Sequence, residues 1–273
     1  RNALPHWLRV LVGRAYDVVI AVCPPLQNVL YPWLYRGLRG VPWVFHVQDL
    51  QMDVALRLGM LSAGPLTRPL QFAENVLLRR CDRVSTISAA MRGRLIAKGV
   101  RPERTWLVPN WADLDRIRPI PRETAFRARC GAGEGDILLL YAGNLGRKQE
   151  FGPLLEAARR LRDDRRYRFA IVGEGAERES LRRQVEASGL DNVVLMGVQP
   201  ADRFAEVLAA ADVQLVLQRR QASDLVMPSK IGNAMASGRP ILAPADPGTA
   251  VHAELTDSGA GTSGELMFAR IRG

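Results

Sequence analysis

Residues 213–218 read VQLVLQ and residues 224–244 read DLVMPSKIGNAMASGRPILAP. Val213, Leu215 and Leu217, with Val216 between them, predict a buried strand, and Arg219 to Ser223 is polar and turn-like. Pro228 suits the first position of a helix whose apolar positions include Ile231, Met235 and Ala236, and Gly238 suits its end. Arg239-Pro240 then turns the chain into the apolar run Ile241 to Ala243. The unit is strand, loop, helix, strand. In an open parallel sheet such a loop lies beyond the carboxyl ends of the strands, and the helix after it directs its N-terminus at whatever binds there. Ser229 and Lys230 fall in that first turn, where backbone N–H groups and one positive charge suit a phosphate or diphosphate. Read locally, Lys230 fits equally a solvated lysine beside a loop.

The same alternation extends upstream. Ile137 to Tyr141 is a continuous apolar strand feeding Ala142-Gly-Asn-Leu-Gly-Arg-Lys148, followed by a helix from Phe151 to Leu161. Glycine in that loop lets backbone approach an anion, and Arg147 and Lys148 supply charge, Arg147 being the better shaped for bidentate phosphate contact. A solvated basic pair fits these two residues as well. The loop is neither GxGxxG nor GxxxxGK[ST], so a nicotinamide dinucleotide or P-loop nucleotide site is poorly supported. Phe169 to Val172 predicts the next strand, Gly173-Glu-Gly-Ala176 its turn and Glu177 to Ser188 a helix. Val193 to Met196 is a further strand and Phe204 to Ala210 a helix. With at least five strands alternating with helices, this half predicts a doubly wound α/β unit.

The first half has the same grammar. Leu4 to Val12 reads as an amphipathic helix carrying Trp7, Leu8 and Leu11, suited to packing on its own domain or to a membrane interface. Strands are expected at Asp17 to Cys23, Val41 to Val47, Val84 to Ser88 and Trp106 to Asn110, with helices at Leu26 to Leu38, Met52 to Met60, Leu70 to Arg80 and Ala89 to Lys98. The second strand runs into His46-Val-Gln-Asp49, a polar cluster where open sheets keep their chemistry. His46 as a half-buried strand residue and Asp49 as a helix cap fit equally. Pro109, Pro119 and Pro121 mark a hinge, giving domains 1–117 and 118–273. A cleft between two such domains is a preferred ligand site.

Composition narrows the class. The 273 residues are 47% hydrophobic and 24% charged, as in a globular protein of two domains. Cys23, Cys81 and Cys130 form no metal-ligand spacing or disulfide framework, which favours a reducing compartment. Residues 1–110 hold 15 Arg or Lys against 6 Asp or Glu, whereas residues 111–273 hold 23 against 22. Anionic lipid, nucleic acid and a phosphorylated substrate all suit the basic half, although no nucleic-acid motif accompanies the charge. No charge-free run of 18 apolar residues indicates a spanning helix.

Taken together, Val47-Gln-Asp-Leu50, Val84-Ser-Thr-Ile-Ser88, Val108-Pro-Asn-Trp-Ala-Asp113, Tyr141 to Gln149, Val172-Gly-Glu-Gly175, Ala209-Ala-Ala-Asp212 and Asp224 through Pro240 resemble a retaining glycosyltransferase of the large family four, in its bacterial exopolysaccharide and O-antigen branch. The resemblance covers roughly residues 15–260 and implies a GT-B fold of two Rossmann-like domains, the first on the acceptor side and the second binding a nucleotide-diphosphate sugar, most readily a UDP-sugar. It implies transfer with retention, no cofactor and no metal, to an undecaprenyl-diphosphate-linked acceptor. The implied place is cytoplasmic, peripheral at the inner face of the bacterial plasma membrane, with an anionic membrane surface as partner and no nucleic acid. His46, Asp49, Arg147 and Lys230 become the catalytic candidates. Gly143, Asn144, Lys148, Gly173, Glu174, Asp224, Ser229 and Asn233 become the donor-binding ones.

Two departures stand out. The family's Glu-x7-Glu pair falls on Leu225 and Asn233, so neither carboxylate is present, and Asp224 is expected to take part of the role. The histidine common before the first-domain aspartate is replaced by Gln48, with His46 two residues earlier. Against the family pattern the chain also reads as shortened at both ends. A UDP-N-acetylglucosamine 2-epimerase-like enzyme and an inactive nucleotide-sugar or membrane-binding fragment are the competing expectations.

Overall fold

The computed structural model describes residues 13, 16–23, 26–62, 64–65, 67–220 and 227–263. The chain divides into two compact units. One is Arg1–Pro109 with Asp224–Met227, and the other is Asn110–Ser223 with Pro228–Gly273. The division falls at Pro109 rather than at residue 117 because the segment in between belongs to the second unit. Ile117 is buried there beside Phe126, and the Pro119 ring lies against Gly238. The expected helix at Leu4 to Val12 lies outside the described residues.

The first unit holds four parallel strands in chain order, β1 (Val19–Cys23), β2 (Trp43–Val47), β3 (Arg83–Thr86) and β4 (Thr105–Leu107). Crossover helices α1 (Leu30–Arg39), α2 (Gln51–Arg57), α3 (Thr67–Arg80) and α4 (Ala89–Ala97) join them. Alternation along β2 sends Trp43, Phe45 and Val47 into the core with Leu78, Met91 and Leu95, and leaves Val44 and His46 half-buried on the opposite face. The strand expected through Asn110 stops at Leu107, since Pro109 lacks a ladder donor.

The second unit is a six-stranded parallel sheet in the order β10-β9-β8-β5-β6-β7. Its strands are β5 (Ile137–Ala142), β6 (Tyr167–Val172), β7 (Val193–Met196), β8 (Val213–Leu215), β9 (Ile241–Ala243) and β10 (Gly261–Ser263). Helices α5 (Ala125–Arg129), α6 (Gly152–Arg160), α7 (Arg178–Ala187), α8 (Phe204–Ala209), α9 (Lys230–Ala236) and α10 (Ala250–Ser258) accompany them. The central strand β5 is covered on both faces, Leu139 and Tyr141 packing with Leu154 and Phe169, and Leu138 and Leu140 with Phe126 and Val207. That is why its sequence is uniformly apolar rather than alternating. After β7 the chain returns to the other side of β5, so strand order reverses between β5 and β8. In a doubly wound sheet that switch point is where the carboxyl ends of the strands open a crevice. A polar network closes the opposite end. Arg127 is buried, its Nη1 donating to Asp212 Oδ2 at 2.7 Å and to Ala210 O at 2.8 Å, and the Leu138 N–H donates to the same carboxylate at 2.8 Å. These bonds hold the Asp212 carboxyl below the usual range although burial opposes them. Among the described residues no helix is long and apolar enough to cross a membrane.

Candidate functional site

The loops after β5 and β6 lie backbone on backbone, which only glycine permits. A Cβ on Gly173 (φ +148°) would sit 1.9 Å from the Gly143 carbonyl oxygen, and one on Gly175 (φ +153°) would sit 2.3 Å from that of Leu145. Their closeness lets the Gly143 N–H donate to Val172 O at 2.9 Å, the Leu145 N–H to Glu174 O at 2.8 Å and the Glu177 N–H to Leu145 O at 2.8 Å. Leu145 is wholly buried and anchors the arrangement. Gly143 itself (φ +150°) opens the space above the loop, where its Cβ would come 2.9 Å from Lys230 Nζ.

Lys230 opens α9 on the other side of the switch point. The helix starts two residues later than Pro228, because Pro228 to Ile231 closes a tighter turn in which the Ile231 N–H donates to Pro228 O at 3.1 Å. Lys230 Nζ is shut off from solvent, donates to no acceptor among the described residues, and lies 3.5 Å from the centroid of the Tyr141 ring. Burial pushes its pKa down to about 7. Asn233, one turn further, lines a small cavity with Lys230, Ala142 and Leu215. A buried ammonium with no acceptor costs free energy that an arriving anion can recover.

The other expected donor residues are placed less uniformly. Asn144 is exposed, its carbonyl accepts from Tyr141 Oη at 2.7 Å, and its amide borders both Gly146 and Gly175. The Arg147 side chain is 67% exposed and its Nε stands 4.0 Å from Glu177, so it does not share the enclosed space of Lys230. Lys148 contributes its carbonyl to the Arg219 N–H at 2.9 Å. Glu174 is exposed, with Arg178 Nε 3.4 Å from its carboxylate and its Oε1 3.2 Å from where a Cβ on Gly197 would stand. Ser229 is exposed and forms no side-chain cap. Asp224 lies outside the described residues. Gly173 therefore lies against Gly143, Gly143 faces Lys230, and Lys230 shares its cavity with Asn233, whereas Arg147 stands exposed beside Glu177. Tyr141 was not singled out by sequence reasoning, although it carries the one polar side-chain atom in an otherwise apolar strand.

His46 and Asp49 belong to the first unit. His46 Nδ1 is 3.0 Å from Ser85 Oγ, and burial holds the ring below the ordinary histidine range, so it is neutral at pH 7. Asp49 is half-buried just past β2, and its carbonyl accepts from Cys23 Sγ at 3.6 Å. Elsewhere in this unit Lys98 Nζ lies 2.9 Å from the buried Glu74 and 3.0 Å from Asp53, a partly buried ion cluster that sequence spacing did not signal. Cys23, Cys81 and Cys130 are free and buried, and among the described residues no group of three His, Cys, Asp or Glu is arranged for a metal ion.

Comparison with known proteins gives this geometry a family. A model described as a glycosyl transferase 4-like domain matches residues 2–111, and one described as glycosyl transferases group 1 matches residues 136–268. WcaI of Escherichia coli, assigned as a colanic acid biosynthesis glycosyl transferase, is 35% identical over 227 residues, 81% of this chain and 56% of WcaI. WbjE of Pseudomonas aeruginosa, assigned as a glycosyltransferase, is 27% identical over 251 residues, 91% of this chain and 62% of WbjE. The chain therefore spans less than two thirds of either curated relative. Among solved structures, HepE of Anabaena in complex with UDP shares the fold, with a TM-score of 0.75 and 19% identity over 95% of this chain and 68% of HepE. The two family models together account for most of the sequence, and the chain belongs to the GT-B glycosyltransferases, a glycosyl transferase 4-like domain followed by a glycosyl transferases group 1 domain.

Proposed function

We propose that this chain takes part in moving a sugar, with retention of configuration, from a nucleotide-diphosphate sugar to a lipid-linked saccharide acceptor in cell-surface polysaccharide synthesis. The observation that carries the donor half is Lys230, whose buried ammonium has no hydrogen-bond partner among the described residues and faces a loop stripped of side chain at Gly143. Departure of a nucleoside diphosphate builds negative charge, and a cation fixed where that charge develops stabilises the transition state more than the ground state. Arg147, exposed on the loop after β5, supplies a second charge. UDP bound in HepE favours a UDP-sugar, and the assignments of WcaI and WbjE favour polysaccharide synthesis. Both matched family models are of glycosyl transferases, which favours transfer over the epimerase reading.

The test is thermal stabilisation by UDP, GDP and dTDP and their sugars, with Arg147→Ala and Lys230→Ala. UDP at about 100 times its Kd is expected to add roughly 2.7 kcal/mol to stability. Lys230→Ala should abolish that gain and Arg147→Ala should reduce it. A well-folded chain that none of these nucleotides shifts would sink the reading.

The acceptor half carries a partner of its own, an anionic phospholipid surface. It is supported by the excess of Arg and Lys in residues 1–110 and by α1, which exposes Leu30, Trp33, Leu34 and Leu38 beside Arg36 and Arg39. An apolar stripe flanked by cations suits a headgroup boundary at the cytoplasmic face. Co-sedimentation with phosphatidylglycerol vesicles should exceed that with phosphatidylcholine, and Leu34→Glu with Leu38→Glu should lower it about tenfold. Equal binding to both vesicles would remove the membrane from the proposal.

A further inference from the structure

We infer that Tyr141 is a positioning residue for Lys230, its ring face holding the lysine ammonium over the Gly143 loop where a nucleoside diphosphate would meet it. The inference rests on the donor-site reading of Lys230 given above. The ring is fixed on three sides. It stands edge-on to Phe151 with centroids 5.0 Å apart at 74°, its hydroxyl donates to Asn144 O at 2.7 Å, and it is wholly buried. The lysine follows the ring, because Nζ at 3.5 Å from the centroid has no other partner among the described residues.

An aromatic face suits this task better than a carboxylate. A ring attracts an ammonium through its quadrupole without neutralising it, whereas a carboxylate would pair with the charge that the diphosphate needs. An ammonium carries three N–H donors, and one ring face engages only one side of it, so donors remain for phosphate oxygens. The groups around Nζ agree with this. Tyr141 faces it from β5 and Asn233 from its own helix, and Gln214 of β8 lines the cavity with its amide committed to Leu208 O at 2.7 Å. Among the described residues no charged side chain contributes to the lysine's lowered affinity for protons, which burial produces. Diphosphate binding above neutral pH then draws a proton onto Lys230, and the ring lowers the cost of holding it.

UDP titration calorimetry on the full chain, from pH 6 to 9 and in two buffers of different ionisation enthalpy, tests this with Tyr141→Phe, Tyr141→Leu, Lys230→Met and the double variant Tyr141→Leu/Lys230→Met. The chain should take up a proton on binding UDP at pH 8. Tyr141→Leu should bind UDP about tenfold more weakly and lose affinity at a lower pH than the parent. Tyr141→Phe should restore both the affinity and the pH profile. The double variant should bind no more weakly than Lys230→Met alone. Equal losses in the Phe and Leu variants, or losses that add in the double variant, would overturn the inference. Should Tyr141→Leu fail to fold, Tyr141→Met, which fills more of the ring's volume, is read by the same criteria. UDP affinity unchanged in Lys230→Met would instead overturn the donor-site reading beneath it, whatever the Tyr141 variants do.

Discussion

Lys98 caps the end of α4 and Lys230 opens α9, both with their ammonium groups drawn largely out of water, and the protein treats them in opposite ways. Lys98 Nζ is met by two carboxylates, Glu74 at 2.9 Å and Asp53 at 3.0 Å, and although burial alone would lower its pKa, these partners raise it. Among the described residues Lys230 Nζ meets an aromatic ring and no counter-charge, and burial pushes it down to about 7. Desolvation is common to both. What differs is whether the fold supplies the counter-charge itself or leaves that place to a ligand. A satisfied buried lysine ties α2, α3 and the end of α4 together, whereas an unsatisfied one stores free energy that binding an anion releases. The contrast separates a cation that the fold pairs from one that the described residues leave unpaired.

The largest effect expected from this contrast is at Lys98. Lys98→Met leaves Glu74, itself buried with its carboxyl pushed up by burial, without its cation. Breaking a buried pair from one side costs about 3–5 kcal/mol, so urea denaturation at pH 7 should show a loss of that order. Lowering the pH protonates the stranded Glu74 and should narrow the gap between variant and parent. A loss below 1 kcal/mol would mean that the cluster is already open to water and that the two lysines differ less than their geometry indicates.

The matching substitution at Lys230 should have the opposite sign and a smaller size. Lys230→Met replaces an unpaired buried polar group by an apolar one of similar length, and relief of that desolvation is worth about 1–3 kcal/mol. The ligand-free variant is therefore expected to unfold at higher urea than the parent at pH 7 while losing UDP stabilisation. Destabilisation by this change would show that Lys230 is structurally satisfied, and would place it with Lys98.

How far the sequence anticipated this picture depends on range. β5, the Phe169–Val172 part of β6 and β9 were legible because strands covered on both faces are uniformly apolar, and Gly173 to Ala176 was legible because a tight turn needs glycine. Lys230 could be named from its place after a strand and a polar loop. The counter-charges of Lys98 could not, since Asp53, Glu74 and Lys98 come from three helices brought together only by packing. Tyr141 was hidden for the same reason. Its hydroxyl and ring serve partners on a neighbouring loop and on α9, and an apolar strand pattern gives it the same weight as Leu139. The strand end expected at Asn110 falls short because Pro109 lacks a ladder donor, and the division falls at Pro109 rather than 117 because Ile117 joins the second unit's core with Phe126, which local composition does not encode.

The finest discrimination comes from pH. A lysine whose folded pKa is near 7 and whose unfolded value is the ordinary 10.5 binds fewer protons folded than unfolded throughout that interval. Stability then rises with pH there, by up to about 1.4 kcal/mol per pH unit. Below pH 7 both states carry the proton and the penalty is constant. The advantage of Lys230→Met over the parent should accordingly be flat below pH 7 and shrink between pH 7 and 9 in the absence of nucleotide. Lys98 behaves in reverse. Its raised folded pKa gives a contribution that is fully present below 10.5 and fades only above it, so Lys98→Met should show no such slope between pH 7 and 9. Parallel stability curves for the parent and Lys230→Met across that interval would mean that the Tyr141 ring keeps Lys230 charged in the free protein. The ammonium would then stand ready for the diphosphate without drawing a proton when it binds.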